Sequence, residues 1–253
     1  TPHSMLFYDM IVLNGYLFLN IVVGWKVLEA ERNQVDPDWW VKPLVYVSIP
    51  FAIGIHTVTA YLYCGLPGRG FWLTAILAPR FLASAFAAGP AFLIILCYII
   101  KKFTKFDPGW DAMQTLSKIV CYAVIANIFF FFCEVFVVAY SGIPGHAAHL
   151  KYLFFGYHGY DMMVPWMWSA FILMGTGAVF LVIPKLRNNY NLLPFTCAMI
   201  FVGAWIDKAL GMIAGGFVPS PLHHVTEYAP SGKEIIISLA VYATGFFVLT
   251  VLY

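Results

Sequence analysis

The chain has 253 residues, of which 62% are hydrophobic and only 10% charged, with a mean hydropathy of +0.82 and a formal net charge of +2. A soluble domain carries roughly 45–50% apolar and about 25% charged residues, so these figures exclude a soluble globular enzyme, a nucleic-acid binder and a disordered tail. The small net charge implies no polyanionic partner, and 15 Tyr, 8 Trp and 23 Phe suit the aromatic belts of a multi-pass membrane protein.

Seven apolar runs are long enough to cross a hydrocarbon core, which takes roughly 20 helical residues. They are 5–28, 43–64, 71–100, 117–140, 161–184, 193–217 and 235–253. An open sheet cannot satisfy its backbone in lipid, so the fold class is an all-α polytopic helical bundle. The first run follows Thr-Pro-His with neither a basic leader nor a cleavage site, and reads as the middle of a longer protein rather than a signal peptide. It holds Asp9 just inside one boundary. The second run carries Pro50 and a polar face of His56, Thr59 and Tyr63. Gly65-Leu66-Pro67-Gly68-Arg69-Gly70 lacks the lysine of a phosphate loop and reads as a tight turn. The third run contains Pro79, Arg80, Pro90 and a small-residue strip of Ala83, Ala87 and Ala91. In the fourth, Asn127, Glu134 and Ser141 are seven apart and share a stripe. Residues 144–159 read as an aromatic interfacial segment. The fifth run opens at Asp161 and holds Pro165. In the sixth, Gly203, Asp207, Gly211 and Gly215 recur every four residues, which places Asp207 at a close helix seam beside Lys208. The internal prolines either shape their helices or open a cavity.

Orientation follows from Lys and Arg. Nine lie on one side (Lys26, Arg32, Lys42, Lys101, Lys102, Lys105, Lys118, Lys185 and Arg187) and three on the other (Arg69, Lys151 and Lys233). The rich side is cytoplasmic by the positive-inside rule. Ionisable groups in a bilayer cost roughly 2.5–3.5 kcal/mol each on insertion scales and mark sites or pathways. Counted inward from the outer ends at ~1.5 Å per residue, His56 lies ~12 Å deep, Arg80 ~13 Å, Glu134 ~9 Å and Asp207 ~15 Å. The polar set is therefore biased outward. Arg80 and Glu134 form a structural ion pair or part of a proton path. Lys208 balances one of the carboxylates. Asp161 is a helix cap or a functional group.

The five cysteines form no C-x-x-C pair and read as small apolar residues. Only His56 lies well inside a span, which argues against an intramembrane bis-His haem. The other six histidines fall in outer loops, suited to solvation or partner docking. Three classes remain: a quinone-binding redox subunit, an ion or solute transporter, and a structural anchor.

Lys42-Pro43, the run IPFAIGIHTVTAYLYCGLPGRGFWLTAILAPRFLASAFAAGPA, and TPHSMLFYDMIVLNGYLFLN at the start resemble the NrfD/polysulfide-reductase membrane-subunit family, most of all its DsrP-type branch from sulfur-metabolising prokaryotes. The resemblance implies about ten helices in two four-helix bundles. Residues 1–64 would end the first, quinone-binding bundle, 71–217 would form the second, and 235–253 a C-terminal span. It implies a haem-free, metal-free subunit of a menaquinol oxidoreductase complex in the prokaryotic plasma membrane. Electrons and protons would pass between menaquinone and an iron–sulfur partner on the outer face. The implied partners are membrane lipid, a periplasmic ferredoxin-like iron–sulfur subunit, a cytochrome c subunit, a haem-b membrane subunit and a cytoplasmic iron–sulfur subunit. Carried onto this sequence, the quinone site would involve His56, Asp9, Tyr8 and His3. Proton transfer would involve Arg80, Glu134, Asp161, Asp207 and Lys208.

Overall fold

The computed structural model describes residues 2–252; Thr1 and Tyr253, the outer ends of the first and last predicted segments, lie outside the described residues. Among the described residues, seven helices are long and apolar enough to span a membrane. There is no strand among the described residues, only one antiparallel bridge between Tyr157 and Tyr160. The spanning helices are α1 (Met5–Asn33), α2 (Val41–Cys64), α3 (Leu77–Phe103), α4 (Trp110–Ser141), α6 (Val164–Val182), α7 (Leu193–Phe217) and α8 (Gly232–Leu252). A shorter helix, α5 (Pro144–Phe155), lies between α4 and α6.

Helix ends follow local chemistry. The first predicted run stops at 28, where polar residues begin, yet α1 continues to Asn33. Glu29, Ala30, Glu31 and Arg32 are good helix formers, and Lys26 pairs with Glu29 at 2.7 Å. The helix then stops in a Schellman turn: Gln34 takes φ 57° and the Val35 amide donates to Ala30 O at 3.0 Å. Gly142 at φ 63° ends α4 in the same left-handed conformation, and Pro184 forces Ile183 out of the helical region after α6.

Two of the four prolines expected inside spans sit at the start of theirs. Pro79 and Pro165 fall in the first turns of α3 and α6, where the missing amide has no intrahelical role; Pro50 and Pro90 are internal. The start of the third span also differs. Apolar residues 71–76 form a 3₁₀ turn (Gly70–Trp72) and a loop that folds back over the bundle, with Trp72 fully buried. Arg80 is thus three residues into α3, ~4.5 Å along its axis, and shallower than the sequence implied.

Helices α3, α4, α6 and α7 form a closed ring in which each packs on two others. Its core is apolar and fine-grained: Ala87, Ala91, Val124, Ala178, Cys197 and Ala204 are among the buried residues. Glycines set the close approaches. A Cβ on Gly177 would lie 2.5 Å from Ile200, one on Gly203 2.9 Å from Ala170 O, and one on Gly211 2.6 Å from Met167 Sδ. Gly203 and Gly211 of the four-residue repeat thus line the α6–α7 seam, whereas Gly215 meets Leu153 of α5. Helices α1 and α2 form a hairpin that meets the ring through α3. α8 is exposed over its described length.

Candidate functional site

The deep charges converge inside the ring. Arg80 from α3 places one guanidinium nitrogen on Glu134 Oε2 of α4 and the other 2.6 Å from Asp207 Oδ1 of α7. Lys208 Nζ stands 3.4 Å from Asp207 Oδ2, within ion-pair range but without hydrogen-bond alignment. Two cations face two anions, so the group is neutral with all four ionised. Arg80 is 2% exposed, Asp207 0% and Glu134 9%. Phe131 lies under the guanidinium at 5.1 Å, and the Lys208 ammonium sits 5.6 Å above the Phe81 ring. Arg80 Nε, Asp207 Oδ2 and Lys208 Nζ are buried without hydrogen-bond partners. Removing ions from water costs several kcal/mol each even after relaxation, and only mutual attraction at short range offsets it. Adjacent Asp207 and Lys208 can both point inward because the chain is π-helical from Asp207 to Ala214, a local widening often found at functional sites.

Side chains from the loops satisfy the end of α7. Trp72 Nε1 donates to Met212 O at 2.8 Å, and Arg69 Nη1 to Phe217 O at 2.7 Å. His149 Nδ1 lies 2.9 Å from Gly215 O and 3.1 Å from Val218 O, so this nitrogen carries the proton it donates. The carbonyls of Gly215, Phe217 and Val218 are ones a helix terminus would otherwise leave unpaired. Burial pushes the His149 imidazole below its usual pKa, against the pull of those carbonyls. His149 thus departs from its expected place in a solvated loop. Ala148, His149, Tyr152 and Leu153 of α5 are buried in the protein, because α5 packs on the Gly70–Trp72 turn, α6 and the end of α7.

Glu227 is a polar group that the apolar-run reading passes over, since it lies in a loop. Its Oε1 accepts from the Met162 amide at 2.9 Å and the Tyr152 hydroxyl at 3.3 Å. Burial, then the Glu227 charge, pushes Tyr152 up to about 12. Asp161, by contrast, joins nothing in the ion network: it is exposed in the loop before Val164 and makes no side-chain cap.

A second polar group lies in the hairpin. Thr59 Oγ1 donates to Asp9 Oδ1 at 3.2 Å, joining α1 to α2, and shares its proton with Ile55 O at 2.8 Å. His56 is half-buried one turn away on the same face. Tyr63, the next member, packs on Trp72 at 4.8 Å and stacks on Phe81 at 6.1 Å, so this face turns toward the ring. Tyr8 is 50% exposed and His3 is exposed; neither hydrogen-bonds to the pair. Farther along the hairpin a groove of about 390 Å³ is lined by Leu13, Asn14, Tyr16, Leu17, Asn20 and Ile55. Its two amides donate to their own helix at 2.8 Å, which leaves carbonyl oxygens available. Among the described residues, no group of three or more His, Cys, Asp or Glu is placed to hold a metal ion.

The sequence matches the family model described as polysulphide reductase, NrfD, over residues 1–219. It is similar to a putative dimethyl sulfoxide reductase membrane subunit from Halobacterium salinarum, with 24% identity over 208 residues, 78% of this chain and 44% of that protein. It is also similar to the menaquinone reductase integral membrane subunit of Nitratidesulfovibrio vulgaris, with 22% identity over 272 aligned residues, 99% of this chain and 64% of that protein. The chain thus spans less than two thirds of either relative's length. The match runs through α1 to α7, the part of the chain that holds the ion network and the Asp9–Thr59 contact, and this multi-pass protein of the prokaryotic plasma membrane belongs to the NrfD polysulphide reductase family.

Proposed function

We propose that this chain is a haem-free membrane subunit of a quinone-linked reductase complex. It exchanges electrons and protons between menaquinol and an iron–sulfur partner at the loop-rich end, the end that the basic residues assign to the outside. The observation that carries this reading is the Asp9–Thr59 contact with His56 one turn away. These proton-accepting groups stand in an apolar hairpin of a chain whose family includes a menaquinone reductase subunit. A quinol releases two electrons and two protons on oxidation. Asp9 and His56 accept the protons, and the electrons leave to the partner's cluster. The same groups supply protons in the reverse direction. Hairpin α1–α2 belongs to the quinone-binding half in this reading, with Tyr8 and His3 at its mouth. The groove at Asn14 and Asn20 suits the ring and isoprenoid tail, since it is apolar with free amide oxygens. Arg80, Glu134, Asp207 and Lys208 serve proton movement in the other half, with Asp161 at its loop end. The finer assignment is to the DsrP-type branch and its sulfur metabolism. Its ferredoxin-like, cytochrome c, haem-b membrane and cytoplasmic iron–sulfur subunits would be the partners.

The test is quinol-analogue oxidation and inhibitor binding by the assembled complex carrying His56→Ala or Asp9→Asn. Loss of turnover with weaker inhibitor binding is expected. Unchanged values in both variants would remove these residues from the site. One observation favours a second reading, a purely structural anchor: the four ring charges neutralise one another in a nearly sealed interior. Full turnover in Glu134→Gln would support that role for the ring.

A further inference from the structure

The ion network is not closed on every side. Arg80 and Asp207 are sealed, but Glu134 lines a narrow cavity of about 60 Å³ between α4, the start of α5 and the loop after Trp72. Its polar lining is Glu134, Thr74 and His146; Phe71, Val138 and Leu150 are among its apolar walls. A water needs roughly 10–15 Å³ of such space and two or more polar partners, so the cavity has room for a short file of waters. Glu134 engages Arg80 through Oε2, and Oε1 has no protein partner among the described residues. His146 is half-buried, in the first turn of α5. Gly70 makes room for its ring: a Cβ there would lie 3.0 Å from His146 Cδ2 and 3.2 Å from Nε2. The titratable and charged neighbours are Glu134 across the cavity, His149 one turn along α5, and Arg69 beside Gly70.

We propose that His146 is the proton-exchange group joining the buried ion network to the loop-rich face, through water in this cavity. This role rests on the proposed function, in which Glu134 handles protons. Protonated Glu134 gives its proton to a cavity water as His146 takes one from the other end of the file. The waters are regenerated, and the imidazolium releases its proton to solvent.

The experiment is quinol-analogue oxidation by the intact complex in nanodiscs, with thermal unfolding measured for each variant. A general acid or base at the reacting group contributes roughly 10²–10⁴-fold; for a more remote exchange group, His146→Phe should slow turnover about tenfold while leaving the inhibitor Kd unchanged. Added imidazole should restore several-fold activity to His146→Ala, and Gly70→Ala should give a smaller loss. Glu134→Gln should be slow and refractory to imidazole. Full turnover in His146→Phe beside a slow Glu134→Gln would overturn the role of His146 and leave the functional reading standing. A loss in His146→Ala that imidazole does not restore would also overturn it, making the residue structural. Normal turnover in Glu134→Gln would take the network out of the reaction: its proposed role in proton movement and the role of His146 would fall together, while those of Asp9 and His56 would stand.

Discussion

The ring of α3, α4, α6 and α7 and the hairpin of α1 and α2 are made of similarly apolar helices, yet they treat charge in opposite ways. The ring buries four ionisable side chains against one another and covers them with Phe131 and Phe81. The hairpin buries little beyond Leu19, Ala30, Val41 and Ala60, and gives Asp9 a hydroxyl partner in place of a counter-charge. A charge in the ring is tolerated only because its counter-charges arrive from other helices, whereas Asp9 is half-buried near a helix end and keeps access to polar surroundings. Mutational cost should therefore track the number of helices that supply the partners, not depth alone.

Arg80→Met should break the comparison most sharply. It leaves one cation, Lys208, for the two carboxylates of Glu134 and Asp207, and removing one member of a buried pair costs about 3–5 kcal/mol. Loss of folded protein, or a large drop in the thermal midpoint in detergent, is the expected result. Asp207→Asn should cost about 3 kcal/mol by the same mechanism. Adding Lys208→Met should return part of it, because the two residues are coupled; strict additivity would show that Lys208 has no stake in the network. Gly216→Ala tests packing without charge. Its Cβ would meet Trp72 Nε1 and Cε2 at 2.2 Å, so a loss of about 1–3 kcal/mol is expected from unfolding curves.

His149 sharpens the contrast through pH. Its folded pKa is depressed by burial, so the unfolded chain binds the extra proton first. The stability it contributes is complete above the unfolded value of about 6.5 and is lost as pH falls toward the folded one. The acid-side decline in thermal midpoint should flatten in His149→Asn, which keeps a donor for Gly215 O. The smallest effect belongs to the hairpin. Asp9→Asn should change stability by only about 0.5–1 kcal/mol, since the amide oxygen still accepts from Thr59.

Periodicity made the spans legible because a bilayer demands long apolar helices, and the glycine repeat of α7 announced a close helix seam without naming α6 as the partner. Local rules failed where apolar residues do not cross lipid. Residues 71–76 counted as span but fold into a plug, which moved Arg80 toward the helix start and Pro79 into the first turn. His149 looked like a loop histidine, because nothing nearby in sequence shows that Gly215 and Val218 would come to meet it. Asp161 opened the predicted fifth run at its outer edge, and its place in a loop follows from α6 starting at Val164.

The sequence by itself determined the all-α membrane class, seven spans, the two-sided distribution of basic residues and the polar inventory, since each depends on composition and short-range spacing. Tertiary structure alone decided which charges meet. Arg80, Glu134 and Asp207 are separated by 54 and 73 residues along the chain, and no helical period reports that three different helices aim them at one point. It also decided which of them touches a cavity. That depends on how α5 and the Gly70–Trp72 turn close over the ring, a packing outcome with no local signature.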